Sequence, residues 1–210
     1  MKLANYLVLC RQASERLSIT GVAMNWNNWL DDYFGRFSPA FDEKVRPSLE
    51  AFHDLACQLR QNGRKLIFAG NGASASISSH GAVDFSKQAK VRAIDFNEPN
   101  LITAFSNDYG FENWIARATQ IYADLGDALV LISVSGASPN VVRAAETAKH
   151  MGLQVVTFTG KAESNPLHQL GDIRFHMPSN AYNVVEAVHM LWLTTVVDML
   201  VGQAEYSVTN

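Results

Sequence analysis

The stretch KLIFAGNGASAS, at positions 65–76, decides the fold class. Its first part is a short apolar run at 66–69, which predicts a β-strand buried on both faces. Gly70 and Gly72 follow at once, and a helical pattern then extends over 75–87. A strand that passes through a glycine loop into a helix is the repeating unit of a parallel α/β sheet.

The same alternation of apolar runs and helical patterns continues towards the C-terminus. Further strands are predicted at 93–96, 128–134, 155–159 and 173–177. Further helices are predicted at 101–106, 113–123, 140–151 and 181–200. We therefore predict an open, doubly wound α/β fold in which a five-stranded parallel sheet is flanked by helices.

The residues before this region have helical periodicity and carry no strand signal. Apolar positions between 3 and 17 share one helical face, and the aromatic-rich segment 26–34 forms a second, suited to helix packing or to a subunit interface. A third helix is predicted to start at Ser38 and Pro39, to break or kink at Pro47 and to end at Gly63. We assign 1–62 to an N-terminal helical arm that packs on the domain and at an oligomer interface, 63–202 to the sheet domain and 203–210 to a tail.

Composition and charge exclude several classes of function. With 210 residues, 48% of them hydrophobic and 18% charged, the chain can build a full core. The net charge of −3 argues against a dedicated surface for nucleic acid or for anionic membranes. Cys10 and Cys57 form no disulfide or metal-binding pattern, which favours a reducing compartment. Without a secretory signal or an apolar run of about 18 residues, the sequence predicts a soluble cytoplasmic protein.

Two loops at predicted strand ends are candidates for binding an anion. The first, from Gly70 through Gly72 to Ser74, can turn backbone N–H groups towards a phosphate at a helix N-terminus, although an ordinary tight turn also fits. The second places three serines, Ser133, Ser135 and Ser138, at the start of another helix, where capping requires only one. Neither loop contains Lys or Arg, so hydroxyl groups and helix dipoles would hold the anion. Together the loops favour a phosphate monoester, and the absence of a Walker or dinucleotide motif predicts no nucleotide cofactor.

Two pairs of ionisable residues lie on predicted helices. His80 and Asp84 are four residues apart, and Glu186 and His189 are three apart, so each pair shares a helix face. A carboxylate and an imidazole together can move protons or bind a metal such as zinc. A structural or solvent-exposed role fits each pair equally well, because spacing alone does not show whether the pairs converge.

These motifs, in this order, resemble those of the sugar isomerase (SIS) domain family, and within it the phosphoheptose isomerase group. The matching segments cover nearly the whole chain and include 70–75 with His80, 106–111, 132–141, 157–160 and 186–189. The resemblance implies a three-layer, flavodoxin-like sandwich and a homotetramer whose active sites lie between subunits. It also implies isomerisation of a phosphorylated sugar, with sedoheptulose 7-phosphate as the expected substrate.

The resemblance further implies roles for individual residues. Phosphate contacts map onto four serines, Ser74, Ser133, Ser135 and Ser138. A contact to a substrate hydroxyl maps onto Asn71 or Asp108. One zinc ion per site is implied at His80 and Asp84, with Glu186 and His189 as further candidate ligands.

The chain departs from the family pattern at four positions. Asp84 stands where the isomerases carry Glu, and Glu186 stands where they carry Gln. Val134 replaces the middle threonine of the serine loop, and Thr194 stands where the family's catalytic histidine falls. Non-catalytic relatives also lose that histidine, but they lose the carboxylate at the position of Asp84 as well.

Two hypotheses of different class follow. In the first, the protein is an aldose–ketose isomerase in which Asp84 or Glu186 moves a proton between carbon atoms through an enediol, and His189 or His80 moves the hydroxyl protons. In the second, it is a non-catalytic SIS module that binds a phosphosugar or a protein partner. The second hypothesis is motivated by Thr194 in place of the catalytic histidine.

Overall fold

The computed structural model describes residues 24–207 and 209, and the chain divides into two compact units after Ser38. In the first unit, helix α1 (Trp26–Gly35) starts at Asn25, whose side chain accepts a hydrogen bond from the backbone N–H of Asn28 at 3.3 Å. The rings of Trp29 and Tyr33 stack at 5.0 Å, and no residue of α1 is buried within the described structure. The helix predicted between positions 3 and 17 lies outside the described residues.

The second unit contains the sheet and the remaining helices. Two short 3-10 helices, Ser38–Phe41 and Glu43–Val45, precede its first α-helix in the chain. Its helices and strands, in chain order, are α2 (Arg46–Gln61), β1 (Lys65–Gly70), α3 (Ala73–Lys87), β2 (Arg92–Asp95), α4 (Pro99–Tyr109), α5 (Trp114–Tyr122), β3 (Ala128–Ser133), α6 (Pro139–His150), β4 (Gln154–Gly160), α7 (Pro166–Leu170), β5 (Ile173–Met177) and α8 (Tyr182–Val201).

The five strands form one parallel sheet in the order β2-β1-β3-β4-β5, which confirms the predicted fold class. Every residue of β1 and β3 is buried, and this explains why both appear in the sequence as continuous apolar runs. The chain leaves β1 towards one edge of the sheet and leaves β3 towards the other. The strand order therefore reverses between β1 and β3, and ligands of open α/β sheets bind at such a switch point.

Both faces of the sheet are covered by helices. One face carries α2, α3 and α8 and is filled largely by aromatic rings, among them Phe158 and Phe175, which stack at 4.3 Å. The other face packs against α4, α5, α6 and α7 through aliphatic side chains and Trp114. Alternate residues of β1 serve the two faces, since Ile67 belongs to the aliphatic layer and Phe68 contacts the aromatic one.

Two expectations about the helices are corrected by the structure. Pro47 lies in the first turn of α2 and does not kink a longer helix, because a proline at that point lacks only an N–H that has no intrahelical partner. The helix starts at Arg46 and not at Ser38, where a separate 3-10 helix begins, and the assignment of 1–62 to one arm stays a prediction. Helix α7 has no counterpart among the predicted helices, since its five residues are too few to show a helical period.

Helix α8 corrects the expectation that no stretch is apolar enough to span a membrane. Within the described residues it passes that test by length and composition, with a mean hydropathy of 1.6. It packs against α2 and α3, and eight of its residues are buried. The indole N–H of Trp192 donates to the carbonyl of Ala40 at 2.9 Å. These contacts are those of a core helix.

Candidate active site

The loop after β1 brings the backbone close to the neighbouring strand. A Cβ atom on Gly70 would lie 2.9 Å from the carbonyl oxygen of Ile132 and 2.8 Å from the Cβ atom of Ser74, so only glycine fits there. Gly72 has a φ of +58°, a conformation that favours glycine, and α3 starts at the next residue. The positive end of the helix dipole therefore faces the open side of this loop.

The loop after β3 is stabilised by its own serines. The hydroxyl of Ser133 accepts a hydrogen bond from the N–H of Gly136 at 3.2 Å, and that of Ser135 accepts one from the N–H of Ala137 at 3.3 Å. Ser138 occupies the N-cap position of α6, yet its side chain makes no capping hydrogen bond. Helix capping is therefore not the role of the Ser138 hydroxyl, which is available to a ligand.

A pair of amides joins the two loops. Asn71 donates to the side-chain oxygen of Asn140 at 3.0 Å, and Asn140 donates back to that of Asn71 at 2.9 Å. Asn140 is 1% exposed, so this reciprocal pair is a buried connection across the switch point. Sequence reasoning assigns no role to Asn140, because its only signal is an amide in the first turn of the helix after the serine loop.

Replacing Asn140 by alanine is expected to lower the free energy of unfolding by about 1–3 kcal/mol, because two buried hydrogen bonds are lost. Equilibrium denaturation by urea measures the effect. Asn107→Ala is the matched control, since the Asn107 side chain is exposed and bonds only to its neighbour Asp108 within the described residues. Equal stability of the two variants would contradict the role of the amide pair.

The two loops and the start of α8 enclose a cavity of about 290 Å³. Its walls are formed by Asn71, Gly72, Ala73, Ser74, Ile132, Ser133, Val134, Ser135, Ser138, Tyr182 and Glu186. Every residue predicted for phosphate or substrate binding except Asp108 lies on this wall. Among the described residues no Lys or Arg lines the cavity, so an anion there would contact hydroxyl and N–H groups, opposite the carboxylate of Glu186.

Three further predicted residues lie away from this wall. Asp108 is exposed near the end of α4, where it accepts a hydrogen bond from the Asn107 side chain at 2.9 Å. His80 and Asp84 form an ion pair on α3, with 3.0 Å between Nε2 and Oδ2. The ring of His80 is half exposed, and neither residue lines the cavity.

The structure places His189, predicted as a catalytic and metal-binding residue, in the core and not on the cavity wall. The ring is fully buried between Phe158 and Trp192, and its Nε2 lies 3.0 Å from the carbonyl oxygen of Thr159. His189 follows Glu186 by three residues on α8. Glu186 lines the cavity, whereas the side chain of His189 is buried in the core. Burial lowers the pKa of His189 to about 4, so the ring is neutral at physiological pH.

The depressed pKa of His189 predicts a pH-dependent stability. In the unfolded chain the histidine binds a proton near pH 6.5, whereas the folded chain binds it only near pH 4, so its contribution is complete above pH 6.5 and falls as the pH approaches 4. Relative to His189→Gln, which keeps a donor for the Thr159 carbonyl, the native chain is expected to lose about 2 kcal/mol more stability between pH 7.5 and pH 5.0. Urea denaturation at both pH values measures this difference. Parallel losses in the two proteins would contradict it.

The residues present do not form a zinc site within one chain. Across residues 24–207, no three His, Cys, Asp or Glu side chains converge as metal ligands. His80 and Asp84 supply two donors, whereas zinc takes three or four from the protein. The four-residue set of His80, Asp84, Glu186 and His189 is therefore not assembled. Zinc binding stays a prediction, and the proton transfers proposed below are assigned to side chains alone.

The position of the family's catalytic histidine is occupied by a hydroxyl group that is already bonded. Thr194 donates from Oγ1 to the carbonyl of Met190 at 3.0 Å, one turn earlier in α8. Further along, Tyr206 donates to Asp198 at 3.0 Å. Burial, the hydrogen bond to Asp198 and the charges of Asp198 and Asp84 raise the pKa of Tyr206.

A switch-point cavity formed by two Gly/Ser loops places this protein among the open α/β-sheet domains with a ligand cavity at the carboxyl ends of the strands. The family model named SIS domain matches residues 32–160, and the chain belongs to that family. The phosphoheptose isomerase of Fusobacterium nucleatum is 31% identical over 162 residues, which cover 75% of this chain and 83% of that protein.

Solved structures share the fold. A phosphoheptose isomerase from Francisella tularensis has a TM-score of 0.77 at 24% identity, with 86% of this chain and all of that chain covered. The Vibrio vulnificus NanR protein, complexed with ManNAc-6P, has a TM-score of 0.60 at 19% identity, with 82% of this chain and 62% of that chain covered. At these identities the structural likeness concerns the fold alone.

Proposed function

We propose that this protein is a phosphosugar aldose–ketose isomerase that acts on sedoheptulose 7-phosphate. One observation carries the proposal: the serine loops and the carboxylate of Glu186 share the walls of one cavity. A phosphate anchor holds the substrate, and a general base moves the carbon-bound proton of such a reaction. The similarity to curated phosphoheptose isomerases supports the choice of substrate.

The phosphate group binds between the two loops. The hydroxyls of Ser133, Ser135 and Ser138 and the N-termini of α3 and α6 supply donors and partial positive charge. Because no Lys or Arg of the described part of the chain lines the cavity, binding relies on donors that the amide pair holds in place. The sugar chain then extends from the loops towards α8.

Glu186 carries the carbon-bound proton. Starting from the ketose, its carboxylate removes a proton from C1 while the O1 hydroxyl proton moves to the carbonyl oxygen O2, and it then returns a proton to C2 as the C1 carbonyl of the aldose forms. Asp84, the alternative base, lies outside the cavity wall, so we assign the step to Glu186. The direct test is incubation of the purified protein with sedoheptulose 7-phosphate, followed by NMR detection of the anomeric proton of an aldose.

A non-catalytic role is the second candidate. It is favoured by two observations, the bonded Thr194 at the position of the family's catalytic histidine and the burial of His189. NanR, which shares the fold, is complexed with a sugar phosphate. Binding of sedoheptulose 7-phosphate without formation of aldose would select this candidate over the isomerase.

We further propose that the protein acts in the cytoplasm as a homotetramer with active sites between subunits. Large apolar side chains exposed near α5 support an association surface, namely Phe111, Ile121, Tyr122 and Leu125. Light scattering coupled to size-exclusion chromatography is expected to give four times the 23.2 kDa chain mass.

A further inference from the structure

A second cavity, of about 460 Å³, lies beside the edge strand β5, apart from the active cavity. Its volume falls within the range of small-molecule sites, roughly 300–1,000 Å³. Side chains from the start of α2, from the loop after β4, from α7 and from β5 form its walls. None of the roles proposed above uses these residues.

Two histidines form the inner part of this second cavity. His168 is 6% exposed, His176 is partly buried, and their rings lie 5.3 Å apart. Burial lowers the pKa of both, so both rings are neutral at physiological pH. Two neutral imidazoles at the back of a cavity present hydrogen-bonding groups without a fixed charge.

A shared hydroxyl group restricts the protonation of these histidines. Oγ1 of Thr159 lies 3.4 Å from Nδ1 of His168 and 3.3 Å from Nδ1 of His176. The hydroxyl donates its one proton to the carbonyl of Phe175 at 3.3 Å, so a ring that bonds to Oγ1 must donate from Nδ1. At least one neutral ring therefore has an unprotonated Nε2, which accepts a hydrogen bond from a ligand hydroxyl.

The outer part of the second cavity is positively charged. Lys44, Lys161 and Arg174 line it together with the carboxylates of Asp42 and Glu163, which leaves one net positive charge. The ammonium groups of Lys44 and Lys161 form no salt bridge within the described residues. A ligand with an anionic group at the mouth and hydroxyls at the histidines would match both parts of the cavity.

One residue connects the second cavity to the active cavity. The ammonium of Lys161 lies 4.9 Å from the centre of the Tyr182 ring, in a cation–π contact. Lys161 lines the second cavity and Tyr182 lines the active cavity. Among the described residues the two cavities have no lining residue in common, and this contact joins their walls.

We propose that the second cavity binds a small phosphorylated polyhydroxy compound, separately from the substrate. The anionic group contacts Lys44 and Lys161, and a hydroxyl donates to Nε2 of His176, because Nε2 of His168 lies 3.8 Å from a carboxylate oxygen of Glu163. The proposal does not rest on isomerase activity, because its test measures binding alone.

The probe is 6-phosphogluconate, which has phosphate and hydroxyl groups but no carbonyl to isomerise. The test uses Ser138→Asp, a variant whose added carboxylate blocks anion binding in the active cavity. Calorimetry is expected to show one binding event in this variant, and the ¹³Cε1 signals of His168 and His176 are expected to shift. Adding Lys44→Ala is expected to weaken the binding about tenfold, whereas adding Lys87→Ala, an exposed lysine on α3, leaves it unchanged.

Three results would overturn the proposal. One is a Ser138→Asp variant that binds no 6-phosphogluconate, which would assign all binding to the active cavity. Another is binding that is indifferent to Lys44→Ala, and the third is binding that moves neither histidine signal. Because no turnover is measured, failure of this proposal is distinguishable from failure of the isomerase assignment.

Discussion

Replacing Glu186 by glutamine is expected to lower kcat for sedoheptulose 7-phosphate about 10²–10⁴-fold, the usual contribution of a general base. The amide has nearly the shape of the carboxylate, so the cavity and the phosphate contacts are retained and KM changes little. Steady-state kinetics with the purified variant gives both parameters. The loss is expected in kcat because Glu186 lines the cavity opposite the phosphate loops.

The matched control for this variant is Asp84→Asn. Asp84 is the other predicted carboxylate, and it pairs with His80 outside the cavity wall. The kcat of Asp84→Asn is expected to stay within about tenfold of the native value, since Asp84 does not take the carbon-bound proton in this assignment. The reverse pattern, an active Glu186→Gln and an inactive Asp84→Asn, would move the base to α3.

The second large effect is expected from Ser138→Asp. This change places a carboxylate in the phosphate loop, where its charge repels the phosphate, and kcat/KM is expected to fall about 10²-fold or more. Aspartate is among the preferred N-cap residues, so α6 is expected to keep its start and the protein its stability. Kinetics and urea denaturation of the same preparation separate the two effects.

Ser138→Asn is the control for charge. Asparagine caps helices as well as aspartate does and adds no charge. This variant is expected to retain far more activity than Ser138→Asp, because repulsion and not shape causes the loss. Equal losses in the two variants would show that the Ser138 hydroxyl acts through its own hydrogen bond.

The centre of the sheet can be predicted from the sequence because β1 and β3 are buried on both faces and appear as continuous apolar runs. The edge strand β5 is only partly buried and alternates apolar and polar residues, and the predicted bounds 173–177 are those of the structure. Helix α7 cannot be found in this way, since five residues do not complete two helical turns. The start of α2 is ambiguous in the sequence because Pro47 fits both a break and a first turn.

The phosphate loops are also accessible from sequence, whereas the direction of His189 is not. Parallel topology places the loops after β1 and β3 at the same edge of the sheet, and the adjacency of these strands in the structure brings Ser74 and Ser133 to one cavity. Helix α8 is apolar on nearly all sides, and its periodicity therefore does not tell which face is buried. A histidine three residues from Glu186 could lie in the cavity or in the core, and packing against Phe158 decides for the core.

Incorporation of deuterium from solvent is the most direct test of Glu186 as the base of an isomerase. The native protein is incubated with sedoheptulose 7-phosphate in D₂O, and NMR follows the aldose and its C2 position, with Glu186→Gln in parallel. We expect the native protein to form aldose that carries deuterium at C2, because the carboxyl group exchanges its proton with solvent before returning it, and we expect the variant to form almost none. Ketose that binds but stays unchanged, or equal product from both proteins, would contradict the assignment of Glu186 as the base of an isomerase.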